Sequence, residues 1–419
     1  MSYAALHSQQ ETRLATWTRG LKHSALQDML LAGSRPGILS LALGLPAAEL
    51  FPVEAYGQAL TRVLASDPNA LQYGPPFQPL KKHVVELMAK RGVKCREEQI
   101  FLTAGAQQGV NLLARLLLEQ GSQVILEEKT YPGLQQVLQP YQPDILTVPT
   151  DLRTGMDVDA VEKLMVQGAR PSLIYAIADG HNPLAVSMSR EKRKQLAKLG
   201  RRYRVPIIED DPYGFLFYGD YAEPPLRALD DEWIFYVGTF SKILAPALRT
   251  GWLVVPESLV CFLATVKEAA DINTAPLNQR AISAYLDCGN LDQHLLKLRQ
   301  EYRLRRDAML RALTQQMPEG SRWQKPTSGL FVWVELPSEV DTGALLKQAI
   351  EEEQLVFIPG HAFALGEQQC AKNSIRLNFS NSSVDRIADG ITRLARVLNR
   401  KRPRAMIERK IHEGVAATF

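Results

Sequence analysis

Gly238-Thr-Phe-Ser-Lys-Ile-Leu-Ala-Pro-Ala-Leu-Arg-Thr-Gly-Trp252 follows directly on Trp233-Ile-Phe-Tyr-Val237, a run with the β-branched and aromatic content of a buried strand. Gly251-Trp-Leu-Val-Val255 reads as the next strand, so Lys242 sits in a loop at the edge of a sheet, among small hydroxyl residues. A lysine there is chemically useful when its amine is neutral: desolvation and a nearby cation lower its pKa, and the free amine condenses with an aldehyde. Arg249, seven positions on, is a candidate for that cation and for gripping a phosphate with its planar fork of donors.

Three other segments repeat the pattern of an apolar strand ending in small or polar residues. Gln99-Ile-Phe-Leu-Thr-Ala-Gly105 runs into a segment in which Val110, Leu113, Ala114 and Leu117 follow helical spacing, so Gly105 precedes a helix N-terminus with free amides. Leu173-Ile-Tyr-Ala-Ile-Ala178 leads to Asp179-Gly-His-Asn-Pro183, which puts Asn182 at a strand end. Val205-Pro-Ile-Ile-Glu-Asp-Asp-Pro-Tyr213 puts three carboxylates and a phenol at another. A buried acidic cluster needs positive charge beside it, and a protonated ring nitrogen would meet Asp210. In open α/β sheets the ligand crevice lies beyond the carboxyl ends of the strands. One crevice would then collect a lysine, an acid, a phenol, an amide, an arginine and a helix N-terminus. That set suits pyridoxal phosphate, which needs a Schiff-base lysine, an acid for its pyridinium, donors for its phenolic oxygen and a phosphate cradle. Singly, each residue also has a plain structural reading, as loop, turn or packing residue.

On these motifs, over about residues 20–398, the chain resembles the fold-type I pyridoxal-phosphate enzymes of the class I/II aminotransferase family, nearest the 2-aminoadipate and kynurenine aminotransferase-like branch. The resemblance implies that Lys242 is the covalent anchor and proton carrier, and that Asp210 partners the pyridinium. Tyr213 and Asn182 would bond the phenolic oxygen. Gly105, Ala106 and Gln107, with Ser241, Thr239 and Arg249, would hold the phosphate, and Tyr131 in Glu-Lys-Thr-Tyr-Pro would stack on the ring. Arg376 in Ser-Ile-Arg-Leu-Asn-Phe379 would take the substrate α-carboxylate, with Asn182 and the segment around Gly44 facing the substrate. Tyr73 would be lent to the phosphate by a partner subunit, so a homodimer with shared sites is implied. Residues near Gly44 and the loop around Gly74 are the expected wall of the side-chain pocket.

The implied fold is α/β, a mostly parallel central sheet with helices on both faces plus a smaller α+β domain. Expected divisions are 1–50 as an N-terminal segment packing with the small domain, 51–300 as the cofactor domain, 301–398 as the small domain, and 399–419 as a basic tail. The basic run Ser189 to Tyr203 reads as an amphipathic helix with a solvated charged face. The implied activity is conversion of an α-amino acid to its 2-oxo acid, with ping-pong kinetics. Departures from the family pattern are Leu184-Ala185 after Asn182-Pro183, Ala178 in place of a proline, Pro75 to Pro79 after Gly74, and Lys81 in place of an arginine. Leu184-Ala185 and the altered loop after Tyr73 motivate the alternative of a related lyase, decarboxylase or cyclase; a separate alternative, from another class, is an aminotransferase-like regulatory sensor.

Composition is that of a globular enzyme: 419 residues, 46% hydrophobic and 22% charged. A net charge of +4 argues against a general nucleic-acid or membrane surface. Cys95, Cys261, Cys288 and Cys370 lack the spacing of a metal or disulfide framework, which points to no metal and a cytoplasmic location. No stretch is long and apolar enough for a membrane span, and the start lacks the order of a signal peptide.

Overall fold

The computed structural model describes residues 14–20, 33, 35–365 and 371–400. Most of the N-terminal segment and nearly all of the basic tail lie outside the described residues. Seven strands form the central sheet among the described residues: β1 (Ile100–Thr103), β2 (Gln123–Glu127), β3 (Asp144–Val148), β4 (Leu173–Ala176), β5 (Ile207–Asp210), β6 (Ile234–Thr239) and β7 (Gly251–Val254). Their spatial order is β1-β7-β6-β5-β4-β2-β3. β4, β5 and β6 are buried at every position, as expected of parallel strands covered on both faces.

All neighbours pair in parallel except β7, which runs antiparallel to both β6 and β1. The sequence pattern suggests parallel strands as far as residue 255, and the reversal has a simple cause. The connection from β6 to β7 is too short to cross over the sheet, which takes a dozen or more residues. The reversal brings Arg249, at the start of β7, to the same sheet end as Lys242, just past the end of β6; Gly251 pairs with both Thr239 and Thr103.

Helices cover the sheet. α1 (Gln78–Lys90) packs against β1, and α2 (Ala106–Leu117) buries Val110, Leu113 and Ala114 as its spacing predicts. α3 (Pro132–Leu138) starts immediately after Tyr131. α4 (Arg190–Tyr203) is capped by Ser189, whose hydroxyl accepts from the Lys192 amide. Its basic face is not wholly solvated: Arg193 is buried against Asp179, because the end of β4 supplies a carboxylate beneath it.

α5 (Leu291–Gln316) runs without a break through position 300, where a domain boundary is expected. Beyond it a four-stranded antiparallel sheet forms from β8 (Arg322–Trp323), β9 (Phe331–Glu335), β10 (Ile358–Pro359) and β11 (Ser374–Asn378), in the order β8-β9-β11-β10. α6 (Val384–Arg400) packs along α5. The N-terminal segment joins this unit, since Leu39–Ser40 pairs in parallel with Leu355–Val356.

Candidate active site

A cavity of about 560 Å³ opens at the carboxyl ends of the parallel strands. Its size is that of a small-molecule site. Gly44, Ala106, Gln107, Tyr131, Asn182, Asp210, Tyr213, Thr239, Ser241, Lys242, Arg249 and Arg376 all line it. Two sequence candidates do not. Gly105 lies just behind the lining, at the N-cap of α2 with φ of 88°, and a Cβ there would sit 2.6 Å from Arg249 Nη2. Only glycine allows both that backbone and that approach. Tyr73 is 83% exposed, and neither it nor Gly74 reaches the cavity of its own chain.

Lys242 opens onto the cavity from the loop after β6, and its Nζ donates to the Gly44 carbonyl at 2.7 Å. Burial, then Arg376, then Arg249 bring its pKa down to about 8. Arg249 therefore acts as a neighbouring cation, but Arg376 is the stronger one.

Asp210 ends β5. Its Oδ2 accepts a 2.5 Å hydrogen bond from the Tyr175 hydroxyl, whereas Oδ1 is buried with no partner among the described residues. Burial pushes this carboxyl up to about 6; the Tyr175 bond opposes the rise and Asp211 adds to it. The neighbouring acids have other work, and only Asp210, the acid singled out in the sequence, is left for a ligand. Glu209 accepts from the amides of Leu226 and Arg227, at 2.7 and 2.9 Å. Asp211 accepts from the Tyr236 hydroxyl and the Gly214 amide. Alternation along a strand turns successive side chains to opposite faces, so only the middle acid is aimed at the cavity.

Arg376 comes from β11 in the other sheet. It stacks 4.0 Å from the Phe331 ring and 4.7 Å from that of Phe363, and donates to Asn182 Oδ1 at 2.5 Å and to the Ala42 carbonyl at 2.8 Å. Among the described residues it has no carboxylate partner, and its Nε has no acceptor. Burial lowers its pKa to about 10. Its charge is directed at the cavity, held by π faces and carbonyls rather than neutralised.

The N-terminus of α2 presents amides of the kind that suit an anion. The amides of Ala106 and Gln107 begin that helix, Arg249 donates to the Ala104 carbonyl at 3.0 Å beside it, and the Ser241 amide is turned toward Thr239 Oγ1. Tyr131 lies at the start of α3, where the absence of a side chain on Gly133 leaves room for its ring. Gln107 Nε2 donates to the Gly133 carbonyl and ties α3 to α2.

Sequence reasoning did not single out Phe331, which lines the cavity and meets the segment at Gly44 so closely that a Cβ there would lie 2.7 Å from its ring. Nor did it find Tyr175 as the support of Asp210, although a phenol in an otherwise apolar buried strand signals a buried partner. Leu43, Leu45, Ile177, Pro212 and Pro246 complete an apolar part of the lining.

A sheet with a cation-rich cavity at its carboxyl ends, closed by a second small sheet, defines the class of fold-type I transferases. Residues 37–394 match the family aminotransferase class I and II, and the chain belongs to that family. It is 36% identical over 388 residues to aromatic-amino-acid aminotransferase 1 of Thermococcus litoralis, covering 90% of this chain and 92% of that one. Its fold matches the kynurenine aminotransferase of Pyrococcus horikoshii, solved with PMP, with TM-score 0.88, 34% identity and coverage of 95% and 99%. The α-aminoadipate aminotransferase of Thermus thermophilus, solved with N-(5'-phosphopyridoxyl)-L-leucine, matches with TM-score 0.85, 32% identity and coverage of 95% and 98%. The chain is an aminotransferase by family and fold. No helix among the described residues is long and apolar enough to cross a membrane.

Proposed function

We propose that the protein is a pyridoxal-phosphate-dependent aminotransferase that converts an α-amino acid to its 2-oxo acid by ping-pong kinetics, with Lys242 as the covalent anchor. One observation carries the reading: an amine with its pKa lowered to about 8 lines the same cavity as a buried carboxylate oxygen and an arginine that, among the described residues, have no partner and no acid respectively. Pyridoxal phosphate fits this donor set and, when bound, supplies an aldehyde for amines and an electron-withdrawing ring. The free Asp210 oxygen suits a protonated ring nitrogen, while Gly105, Ala106, Gln107, Thr239, Ser241 and Arg249 suit its phosphate.

Lys242 Nζ is the group available to take a proton from the substrate α-carbon, and a pKa near 8 leaves part of it neutral near pH 7. Arg376 orients the substrate through its α-carboxylate, a bidentate task suited to its planar fork, which among the described residues faces carbonyl oxygens and no carboxylate. Tyr213 and Asn182 flank the cavity as donors to the cofactor's phenolic oxygen. Tyr73, exposed on its own chain, would complete the phosphate site of a second subunit in a homodimer.

The test is a spectrum of the purified protein with pyridoxal phosphate, followed by amino acids added singly without an oxo acid. Bleaching of the visible cofactor band with one equivalent of 2-oxo acid per site is the expected result. Ammonia or carbon dioxide released in continuing turnover would instead indicate the lyase or decarboxylase alternative.

A further inference from the structure

Next to Asp210, but outside the cavity lining, lies a closed set of four buried charges that the function above does not use. Arg91, just past α1, donates from Nη2 to Asp179 Oδ2 at 2.9 Å, and its Nη1 lies 3.2 Å from Asp211 Oδ2. Arg193 of α4 closes the set, with Nη2 2.6 Å from Asp179 Oδ1. Room for Arg91 depends on Gly214, where a Cβ would lie 1.8 Å from its Nη1.

The two acids sit where the cavity is sensitive. Asp211 follows Asp210 directly, and Asp179 stands three residues before Asn182. Two arginines meet two carboxylates, and buried Glu209 and Arg227 beside them add one charge of each sign, so the group is neutral as it stands. Burial works against the Arg91 charge, but Asp211 and Asp179 outweigh it. Glu209 is engaged by the Leu226 and Arg227 amides, Tyr236 donates to Asp211, and Tyr175 donates to Asp210.

We propose that Arg91 and Asp179 are positioning residues that set, through Asp211, whether Asp210 or the ligand facing it carries their shared proton. An uncompensated charge at short range in a buried site acts strongly. Without Arg91, two carboxylates face one arginine, and the surplus negative charge drives the proton onto Asp210. Without the Asp179 charge the surplus is positive, and Asp210 stays ionised. A shift from one deletion and none from its neighbour distinguish this role from simple support of the fold, which predicts loss from both.

This inference rests on the cofactor reading of the cavity. The experiment loads the full chain with pyridoxal phosphate labelled with ¹⁵N in its ring and reads the nitrogen chemical shift, alongside cofactor affinity and the melting temperature. In the unaltered protein the shift should be that of a protonated ring. In Arg91→Gln it should move toward the unprotonated position, with affinity about tenfold weaker, the equivalent of one pKa unit on one carboxyl. Asp179→Asn should keep the protonated shift. If Arg91→Gln does not fold, the double variant Arg91→Gln/Asp179→Asn, which restores charge balance, should fold and show the protonated shift. An unchanged shift in folded Arg91→Gln, an unprotonated shift in Asp179→Asn, or a double variant that is unfolded or unprotonated overturns the inference. Failure of the unaltered chain to bind pyridoxal phosphate would overturn the cofactor reading itself.

Discussion

Lys242 shows how much one side chain owes to its surroundings. An exposed lysine is almost fully protonated at neutral pH; here burial, Arg376 and Arg249 all disfavour the ammonium, so the neutral fraction rises through one half at about pH 8 and levels only well above it. The rate at which cofactor-free protein captures pyridoxal phosphate should follow that curve, with a midpoint near 8, and stopped-flow absorbance checks it. Lys242→Ala should lose about 10³-fold or more in kcat, in line with the loss of a positioned general base. Cofactor should still bind it through the phosphate site, as equilibrium dialysis would show. Arg376→Lys keeps the charge but loses the planar fork and its stacking on Phe331 and Phe363. A loss of about 1.5–3 kcal/mol for a charge-assisted pair corresponds to a KM for the amino acid raised about 10- to 100-fold, with a smaller change in kcat.

At the scale of elements, the site depends on strand ends and one helix start. The strands β1, β4, β5 and β6 were legible because each is a short apolar run closed by glycine, proline or polar residues. The direction of β7 was not, since pairing partners are chosen by connection length and by neighbours distant in the chain. Arg193 was misread for a similar reason: its helix pattern is amphipathic, but the acid that draws it inward lies on a different loop. Gly105 tests the helix start. Gly105→Ala places a side chain at φ of 88° and against Arg249, which should destabilise the protein by about 1–2 kcal/mol, measured by denaturant unfolding. The same substitution should weaken pyridoxal phosphate binding more than Arg249→Lys, because it moves both the arginine and the helix amides.

For the molecule as a whole, the two sheets share the work: Lys242 and Asp210 come from the seven-stranded sheet, Arg376 and Phe331 from the four-stranded one, and Gly44 from the N-terminal segment. If Tyr73 completes a neighbouring subunit's site, Lys242→Ala and Tyr73→Ala chains, each impaired alone, should regain activity when unfolded and refolded together. Random pairing leaves about a quarter of the sites intact. No recovery in a mixture shown to be dimeric by sedimentation would rule out Tyr73 as a residue lent to a partner's site. The sequence by itself determined the family, the α/β architecture and the identities of the lysine, acid and arginine, because these depend on residue type, local spacing and strand-end punctuation. Tertiary structure alone decided that Tyr175 supports Asp210, that Arg376 outranks Arg249 beside Lys242, and that Arg91, Asp179 and Arg193 meet beneath the site. Those outcomes rest on distances between segments far apart in the chain, and Coulomb and desolvation energies depend on distance and burial rather than on sequence separation.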